Sequence, residues 1–318
     1  MKLLGIIINY KTPDMTIEAA RGLAAAIEHI PAARFVIVDN DSRDGSFEKL
    51  SAAVAHEPWS ARCEVLASPK NGGFGYGNNF AIRKNLESRD PAEYFYLLNS
   101  DAVPRIDAVQ KLVEFMDNHR YAGIAGGYVH GTDSEPHQTA FRYPSLVSEF
   151  EEQAQTGPIS KLLKPWIVAL PIPDHTIQVE WTAAVSMIIR RNVLQKVGLF
   201  DEQIFLYFEE TDLCRRAALA GFPTYYVRES EVEHLGSAST GMKDFSRPMP
   251  AYWFNARKHY LEKHHGRRYL MGANIAWLAG RTLRRVRRAI ELKPDPTRPR
   301  LTRDFVAHNF LPERFRPS

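Results

Sequence analysis

Asp39-Asn40-Asp41-Ser42 follows a short apolar run and is itself followed by Asp44-Gly45-Ser46. Polar side chains at such a strand exit can read a nucleobase edge, since a carboxylate accepts from a ring N–H and an amide both donates and accepts. The same residues also suit a turn and helix start, with Asp44 or Ser42 satisfying free backbone N–H groups. Asn71-Gly72-Gly73-Phe74-Gly75-Tyr76-Gly77-Asn78-Asn79 packs four glycines into six positions ahead of a helix. Glycine permits positive φ and close backbone approach, and a helix N-terminus offers N–H groups to a diphosphate. The segment is neither a dinucleotide fingerprint at a first turn nor a Walker loop. Leu97-Leu98-Asn99-Ser100-Asp101 is an apolar strand ending in an acidic turn. Mg²⁺ uses one or two carboxylates together with substrate phosphates, so Asp101 is a candidate ligand, and an ordinary turn is the alternative.

A further acidic cluster, Glu209-Glu210-Thr211-Asp212, follows Phe205, Leu206, Tyr207 and Phe208. Acidic residues at a helix start complement the helix dipole. Aromatic walls around a carboxylate would instead raise its pKa and sharpen it as a base towards a sugar hydroxyl. His234 follows a strand-like run; a lone histidine is more often a structural or surface residue than a ligand.

The elements that must carry these residues alternate. Runs at 3–9 and 34–39 read as strands buried on both faces, with a helix over 14–29 between them. Helices near 44–56 and 78–88 and strands near 62–67 and 94–98 continue the pattern, with Asn99 opening a loop. Connections of this length imply parallel strands, whose C-terminal ends form the ligand crevice. Residues 131–178 read as an irregular insertion on the acceptor side. A strand at 180–189, helices at 191–197 and about 207–220, and a strand at 223–228 follow.

Composition sets the class. The chain has 318 residues, 44% hydrophobic and 25% charged, with a net charge of +4, as for a folded globular protein. Cys63 and Cys214 have no metal or redox spacing, and a reducing compartment fits them. The N-terminus reads as a first strand rather than a signal peptide, and no apolar run is long enough to span a bilayer. Arg281, Arg284, Arg285, Arg287 and Arg288 crowd one segment without the aromatic platform of a single-strand binder, so no nucleic acid is expected.

Taken in order, INYKTPD, VDNDSRDGS, NGGFGYGNN, LLNSDAVP and GLFDEQIFLYFEETDLCRRAALAGF resemble family 2 glycosyltransferases of the GT-A fold, in their rhamnosyltransferase-like branch, over about residues 4–240. The resemblance implies an α/β, Rossmann-like, mostly parallel sheet flanked by helices. It implies a catalytic domain over 1–245, with nucleotide-sugar binding in 1–130 and the acceptor side in 131–245, and a helical extension over 246–318. Donor contacts would come from Tyr10, Asp39, Asn40, Asn71, Gly72, Gly73, Phe74, Gly75, Asn78, Asn99, Ser100 and Trp181. Asp101 and His234 would hold Mg²⁺ or Mn²⁺, although Asn99 stands where the family's Asp-x-Asp motif has its first Asp. Glu210 is the implied base, with Glu209 and Asp212 beside it.

The implied activity is inverting transfer of a sugar, rhamnose from dTDP-rhamnose, to a glycan or lipid-linked acceptor in bacterial surface polysaccharide synthesis. UDP-galactofuranose or a UDP-hexose is an alternative donor, and a non-catalytic nucleotide-sugar-binding module is the reading from another class. Residues 269–290 pattern as a helix with an apolar stripe and a basic flank, suited to an anionic membrane surface, to packing on the protein or to a homodimer. The expected location is cytoplasmic, peripheral on the inner face of the cytoplasmic membrane.

Overall fold

The computed structural model describes residues 1–236 and 244–312. Residues 237–243, at the expected domain boundary, and 313–318, at the end of the expected extension, lie outside the described residues. In chain order the elements are β1 (Leu3–Asn9), α1 (Pro13–Ala26), β2 (Ala33–Asp39), α2 (Ser46–Ala55), β3 (Cys63–Ala67), α3 (Phe74–Leu86), β4 (Tyr94–Asn99), β5 (Ala102–Pro104), α4 (Ala108–Asn118), β6 (Ile124–His130), β7 (Pro136–His137) and β8 (Ala140–Phe141). They continue with α5 (Leu146–Ala154), α6 (Gly157–Leu162), β9 (Ile177–Val179), β10 (Trp181–Thr182), β11 (Ser186–Arg190), α7 (Arg191–Val197), α8 (Glu209–Leu219), β12 (Thr224–His234), α9 (Ala251–His265), α10 (Arg267–Ile290) and α11 (Leu301–Phe310).

The chain divides into two units. The first holds 1–141, 171–205 and the described residues from 209 to 236; the second holds 142–170, 206–208 and the described residues from 244. Residues 142–170 belong to the same unit as the C-terminal helices.

The first unit is built on one sheet in the order β3-β2-β1-β4-β11-β6-β12-β5. Period-two alternation feeds both faces. Leu3, Ile7, Phe35, Ile37, Tyr94, Tyr96 and Leu98 enter one core, and Leu4, Ile6, Val36, Val38, Phe95 and Leu97 the other. Each such side chain contributes about 1.5–3 kcal/mol by leaving water, and double-sided burial explains why these strands read as continuous apolar runs. The parallel register sets Asn9 opposite Asp39 and Ile8 opposite Asn99, so the polar residues ending β1, β2 and β4 lie side by side.

The mostly parallel sheet holds through β3-β2-β1-β4 and β6-β12, and within it β11 runs antiparallel to both β4 and β6. Several expectations are corrected. The 180–189 run is not one strand: β10 leaves the main sheet to pair with β8, and a turn at 183–185 precedes β11. Helix α3 starts at Phe74, not 78, so Gly75 and Gly77 are helical. A Cβ would stand 3.0 Å from the Phe200 Cβ at Gly75 and 3.2 Å from Ile8 at Gly77, so close packing selects glycine there. Asn99 ends β4 instead of opening a loop. The 131–178 stretch is not irregular but contains short strands and the helices α5 and α6. Strand β12 extends to His234 through a register shift between Val227 and Glu231. Elements β5, α4 and β6 fill the 102–130 stretch that the sequence reading leaves unassigned.

The second unit packs α5 along α10. Gly280 makes the approach possible, since a Cβ there would lie 2.2 Å from the Phe150 carbonyl oxygen. Arg257 and Glu149, both buried, meet in a bidentate pair at 2.8–3.1 Å, and Arg257 also donates to Asn274 at 2.8 Å. Trp277 stacks on Phe305 with centroids 3.7 Å apart. Of the basic flank, Arg281 and Arg284 are buried and Arg287 and Arg288 half-buried, whereas Arg285 stays exposed. Arg281 donates to Asp295 and Thr302, Arg284 to Gln155, Arg287 to the Gln155 carbonyl and Arg288 to the Pro294 carbonyl. Guanidiniums near a helix C-terminus satisfy carbonyls and complement the dipole there, which is why these arginines turn inward.

Arg257→Ala strands the buried Glu149 carboxylate without its guanidinium. The expected loss is about 3–5 kcal/mol of stability, read as a lowered midpoint in urea or thermal unfolding.

Candidate active site

The β1–β2 exit is a closed polar knot. The buried Asp39 carboxylate accepts from Asn9 Nδ2 at 2.7 Å, Ser42 Oγ at 2.6 Å and the Ser42 N–H at 3.2 Å. Asn9 in turn accepts from the Thr16 hydroxyl at 2.8 Å. Asp39 therefore holds the turn, and Asp44 does the same one step on by accepting from the Ser46 N–H and hydroxyl. Tyr10 is half-buried with the Lys11 ammonium 5.2 Å over its ring.

Beside this knot lies the glycine-rich segment. Asn40 Nδ2 donates to Asn71 Oδ1 and to the Gly73 carbonyl, each at 3.1 Å, and Asn78 Nδ2 donates to the Phe74 carbonyl. The amide oxygens of Asn40 and Asn78 are buried without a hydrogen-bond partner, two acceptors at the N-terminal end of α3. Gly73 has φ +90°, and a Cβ there would fall 1.8 Å from the Phe205 carbonyl oxygen, which accepts from the Phe74 N–H. Gly72 packs equally closely against Tyr76.

At the β4 exit, Asp101 Oδ1 lies 3.0 Å from His234 Nε2, and Asn99 Nδ2 lies 3.3 Å from the same nitrogen. The pairing of β12 with β5 sets His234 opposite Ala102, and the Leu235 N–H donates to the Asp101 carbonyl. Ser100 is buried between Asn99 and Asp101. The His137 ring stands edge-on to His234 at 5.8 Å. No cluster of three or more His, Cys, Asp or Glu is set to hold a metal among the described residues. The two that converge nevertheless fit an ion. Adjacent ligands of an octahedron, each about 2.1 Å from the metal, lie roughly 3.0 Å apart. One imidazole nitrogen cannot accept from Asn99 and donate to Asp101 at once, and an ion between Nε2 and Oδ1 removes that conflict. Phosphate oxygens and waters would fill the remaining positions.

Helix α8 opens with Glu209 and Glu210, preceded by Tyr207 and Phe208 at φ 68° and 70°. Consecutive bulky residues in the left-handed region cost about 1–3 kcal/mol each, a strain that collects at working sites. Glu209 is buried and Glu210 half-buried, and Oε2 of each is buried without a hydrogen-bond partner. Burial pushes the Glu210 carboxyl up to about 7, against which the Ala184 N–H donates to it. Burial, and then the charge of Glu210, raise Glu209 well above the ordinary carboxylate range. Gly75 keeps α3 close to the pair, since a Cβ there would stand 3.8 Å from the Glu209 Cβ. The rings of Tyr207 and Phe208, expected as walls around the pair, engage Tyr252, Trp253 and Tyr260. Asp212 lies apart in role: it is fully buried in an ion pair with Arg216 at 2.8 Å. Arg216 also donates to the carbonyls of Val197, Gly198 and Leu199.

A backbone hydrogen bond ties the end of β4 to the turn that precedes β11. The Asn99 N–H donates to the Val185 carbonyl at 3.0 Å, and the neighbouring Ala184 N–H reaches Glu210. The turn that steadies Glu210 is thus bonded to the strand end that leads into Asp101. Trp181 stacks on Phe141 at 4.1 Å just before this turn. Sequence reasoning missed Asn79. It bonds both backbone groups of Phe200 and also Glu202, tying α3 to the segment leading to α8. An asparagine inside a helix, where it is a poor helix former, was the available signal.

A family model described as Glycosyl transferase family 2 matches residues 6–165. The rhamnosyltransferase WbbL of Escherichia coli is 29% identical over 157 residues, 49% of this chain and 58% of that protein. The N-acetylglucosaminyl-diphospho-decaprenol L-rhamnosyltransferase of Mycobacterium tuberculosis is 27% identical over 215 residues, 65% of this chain and 67% of that protein. The chain thus spans between a little over half and two thirds of the length of these curated relatives. Among solved structures, the mannosyltransferase PcManGT of Pyrobaculum calidifontis, in complex with GDP-Man and Mn²⁺, superposes with a TM-score of 0.58 at 11% identity, covering 93% of this chain and 76% of that one. TarS 1-349 of S. aureus superposes at 0.54 with 15% identity, covering 91% of this chain and 92% of that one. At such identities the likeness concerns the fold.

The raised Glu210 carboxyl makes stability depend on pH. Its folded value of about 7 exceeds the ordinary 4.5, so the contribution of the neutral form is present below 4.5 and is lost as pH rises through about 7. Glu210→Gln is therefore expected to be more stable than the parent at pH 8, by on the order of 1–3 kcal/mol, with the advantage shrinking towards pH 4.5. Urea midpoints at the two pH values check this.

Proposed function

We propose, for a chain that belongs to glycosyl transferase family 2 and has the GT-A fold, the transfer of a sugar from a nucleoside diphosphate donor to a glycan or lipid-linked acceptor with inversion of configuration. The observation that carries this reading is the hydrogen-bonded link between the 183–185 turn and the end of β4. A half-buried glutamate with a raised pKa is bonded to the 183–185 turn, and that turn is bonded to the strand end that leads into Asp101 and His234.

In this reading Glu210 takes the proton of an acceptor hydroxyl. The hydroxyl oxygen forms the new bond to the anomeric carbon, and the bond from that carbon to the diphosphate breaks, its electron pair leaving with the nucleotide. A single displacement needs no covalent sugar–enzyme intermediate. Burial keeps Glu210 a stronger base than an exposed glutamate once it is ionised. Burial and the charge of Glu210 raise Glu209 well above the ordinary carboxylate range, which disfavours a second charge beside the base. Asp212, paired with Arg216, positions α8. The α3 N-terminus, with the amides of Asn40 and Asn78, faces the donor, and Tyr10, Asn71 and Gly72 to Gly75 line it. Mg²⁺ or Mn²⁺ held by Asp101 and His234 would supply positive charge to the diphosphate, and the imidazole nitrogen favours Mn²⁺ over the oxygen-seeking Mg²⁺.

The names of the relatives, a rhamnosyltransferase and an N-acetylglucosaminyl-diphospho-decaprenol L-rhamnosyltransferase, support rhamnose as the sugar and a polyprenyl diphosphate-linked saccharide as acceptor; the donor proposed for this chain is dTDP-rhamnose. A UDP-sugar such as UDP-galactofuranose would use the same chemistry.

With Mn²⁺ present, the chain is expected to consume dTDP-rhamnose faster than UDP-sugars. Glu210→Gln should lower kcat by at least ~10²-fold with the donor KM nearly unchanged. Nucleotide release measured by a coupled assay decides it: no turnover of any nucleotide sugar by the parent, or full activity in the glutamine variant, ends this assignment.

A further inference from the structure

Helix α10 is 24 residues long, with seven arginines and no acidic residue. Its inner face buries Leu270, Ala273, Asn274, Trp277 and Gly280. On its outer face Met271, Ile275, Val286 and Ile290 are 47%, 59%, 53% and 77% exposed. At 3.6 residues per turn these four fall within an arc of roughly 100° and extend over about 30 Å. Exposed apolar residues standing singly are ordinary, but a continuous stripe calls for a covering surface. Arg268 and Arg285, unlike Arg281 and Arg284, remain exposed beside the stripe, and Leu292, 91% exposed, follows its end.

Charge selects the occupant. Residues 244–312 carry fifteen Lys and Arg against five Asp and Glu, whereas residues 1–236 carry twenty-three against thirty-one. A two-fold pairing of this face with its own copy would set arginines against arginines with no acid to relieve them. A bilayer with anionic headgroups satisfies both features, accepting the apolar stripe at the acyl boundary and the guanidiniums among phosphates. No described helix is long and apolar enough to cross a membrane, so the helix would lie along the surface.

We infer that the outer face of α10 docks the protein on an anionic membrane surface, with Met271, Ile275, Val286 and Ile290 inserted and Arg268 and Arg285 on phosphate. The inference is independent of the donor and of catalysis.

Co-sedimentation of the full chain with phosphatidylglycerol-rich vesicles and with pure phosphatidylcholine vesicles tests it. Binding should be at least about tenfold tighter to the anionic vesicles and should weaken with salt. Ile275→Glu combined with Val286→Glu should reduce that binding about tenfold or more with an unchanged melting curve. Arg268→Gln combined with Arg285→Gln, which leaves the stripe intact, should erode the preference for anionic vesicles. Equal binding to both lipids, or parent-like binding by the glutamate variant, overturns the inference. So does a dimer in vesicle-free solution that the glutamate variant dissolves, since a second copy would then cover the face.

Discussion

A single backbone hydrogen bond, from the Asn99 N–H to the Val185 carbonyl, ties the end of β4, which leads into Asp101, to the turn that enters β11. It exists because β11 runs antiparallel to β4, so the turn entering β11 lies at the end where β4 finishes. A parallel neighbour would have put the start of its strand at the opposite end, and its entering turn could not have met the end of β4. One reversed strand in a mostly parallel sheet therefore sets this turn beside the strand end that leads into Asp101.

The protein holds groups in states that water would relieve. Glu209 and Glu210 keep carboxylate oxygens without partners, Asn40 and Asn78 keep amide oxygens without partners, and Tyr207 and Phe208 occupy the left-handed region. Buried, unsatisfied acceptors cost on the order of 1–3 kcal/mol each. Beside them the Asp39–Ser42–Asn9 knot is fully satisfied. Asp39 and Asp212 illustrate the contrast: both are acidic and buried, and both are fully engaged in holding backbone geometry.

The second unit obeys a different balance. Its arginines serve first as internal ties, through Asp295, Gln155 and helix-terminal carbonyls, and only a minority face solvent. Residues 244–312 still keep a strong positive excess, because many of those ties are to neutral acceptors that leave the charge uncompensated.

Alternation of apolar runs, the glycine-rich segment and the five ordered motifs made the α/β class, the strand ends and the family legible from sequence alone, because they depend on local periodicity and on residue types at fixed spacing. Asp101, His234, Glu209 and Glu210 could be singled out in the same way. What sequence could not convey was company. That Asp39 is consumed by Asn9 and Ser42, that Asp212 belongs to Arg216, that Asn79 fastens α3 to Phe200, and that the α10 arginines turn inward all depend on pairs far apart in the chain. Strand direction at β11 and the split between β10 and β11 belong to the same class, since a short apolar run carries no mark of its orientation. Those choices were made by the packed structure, where each buried donor or charge had to find a partner that only the third dimension could supply.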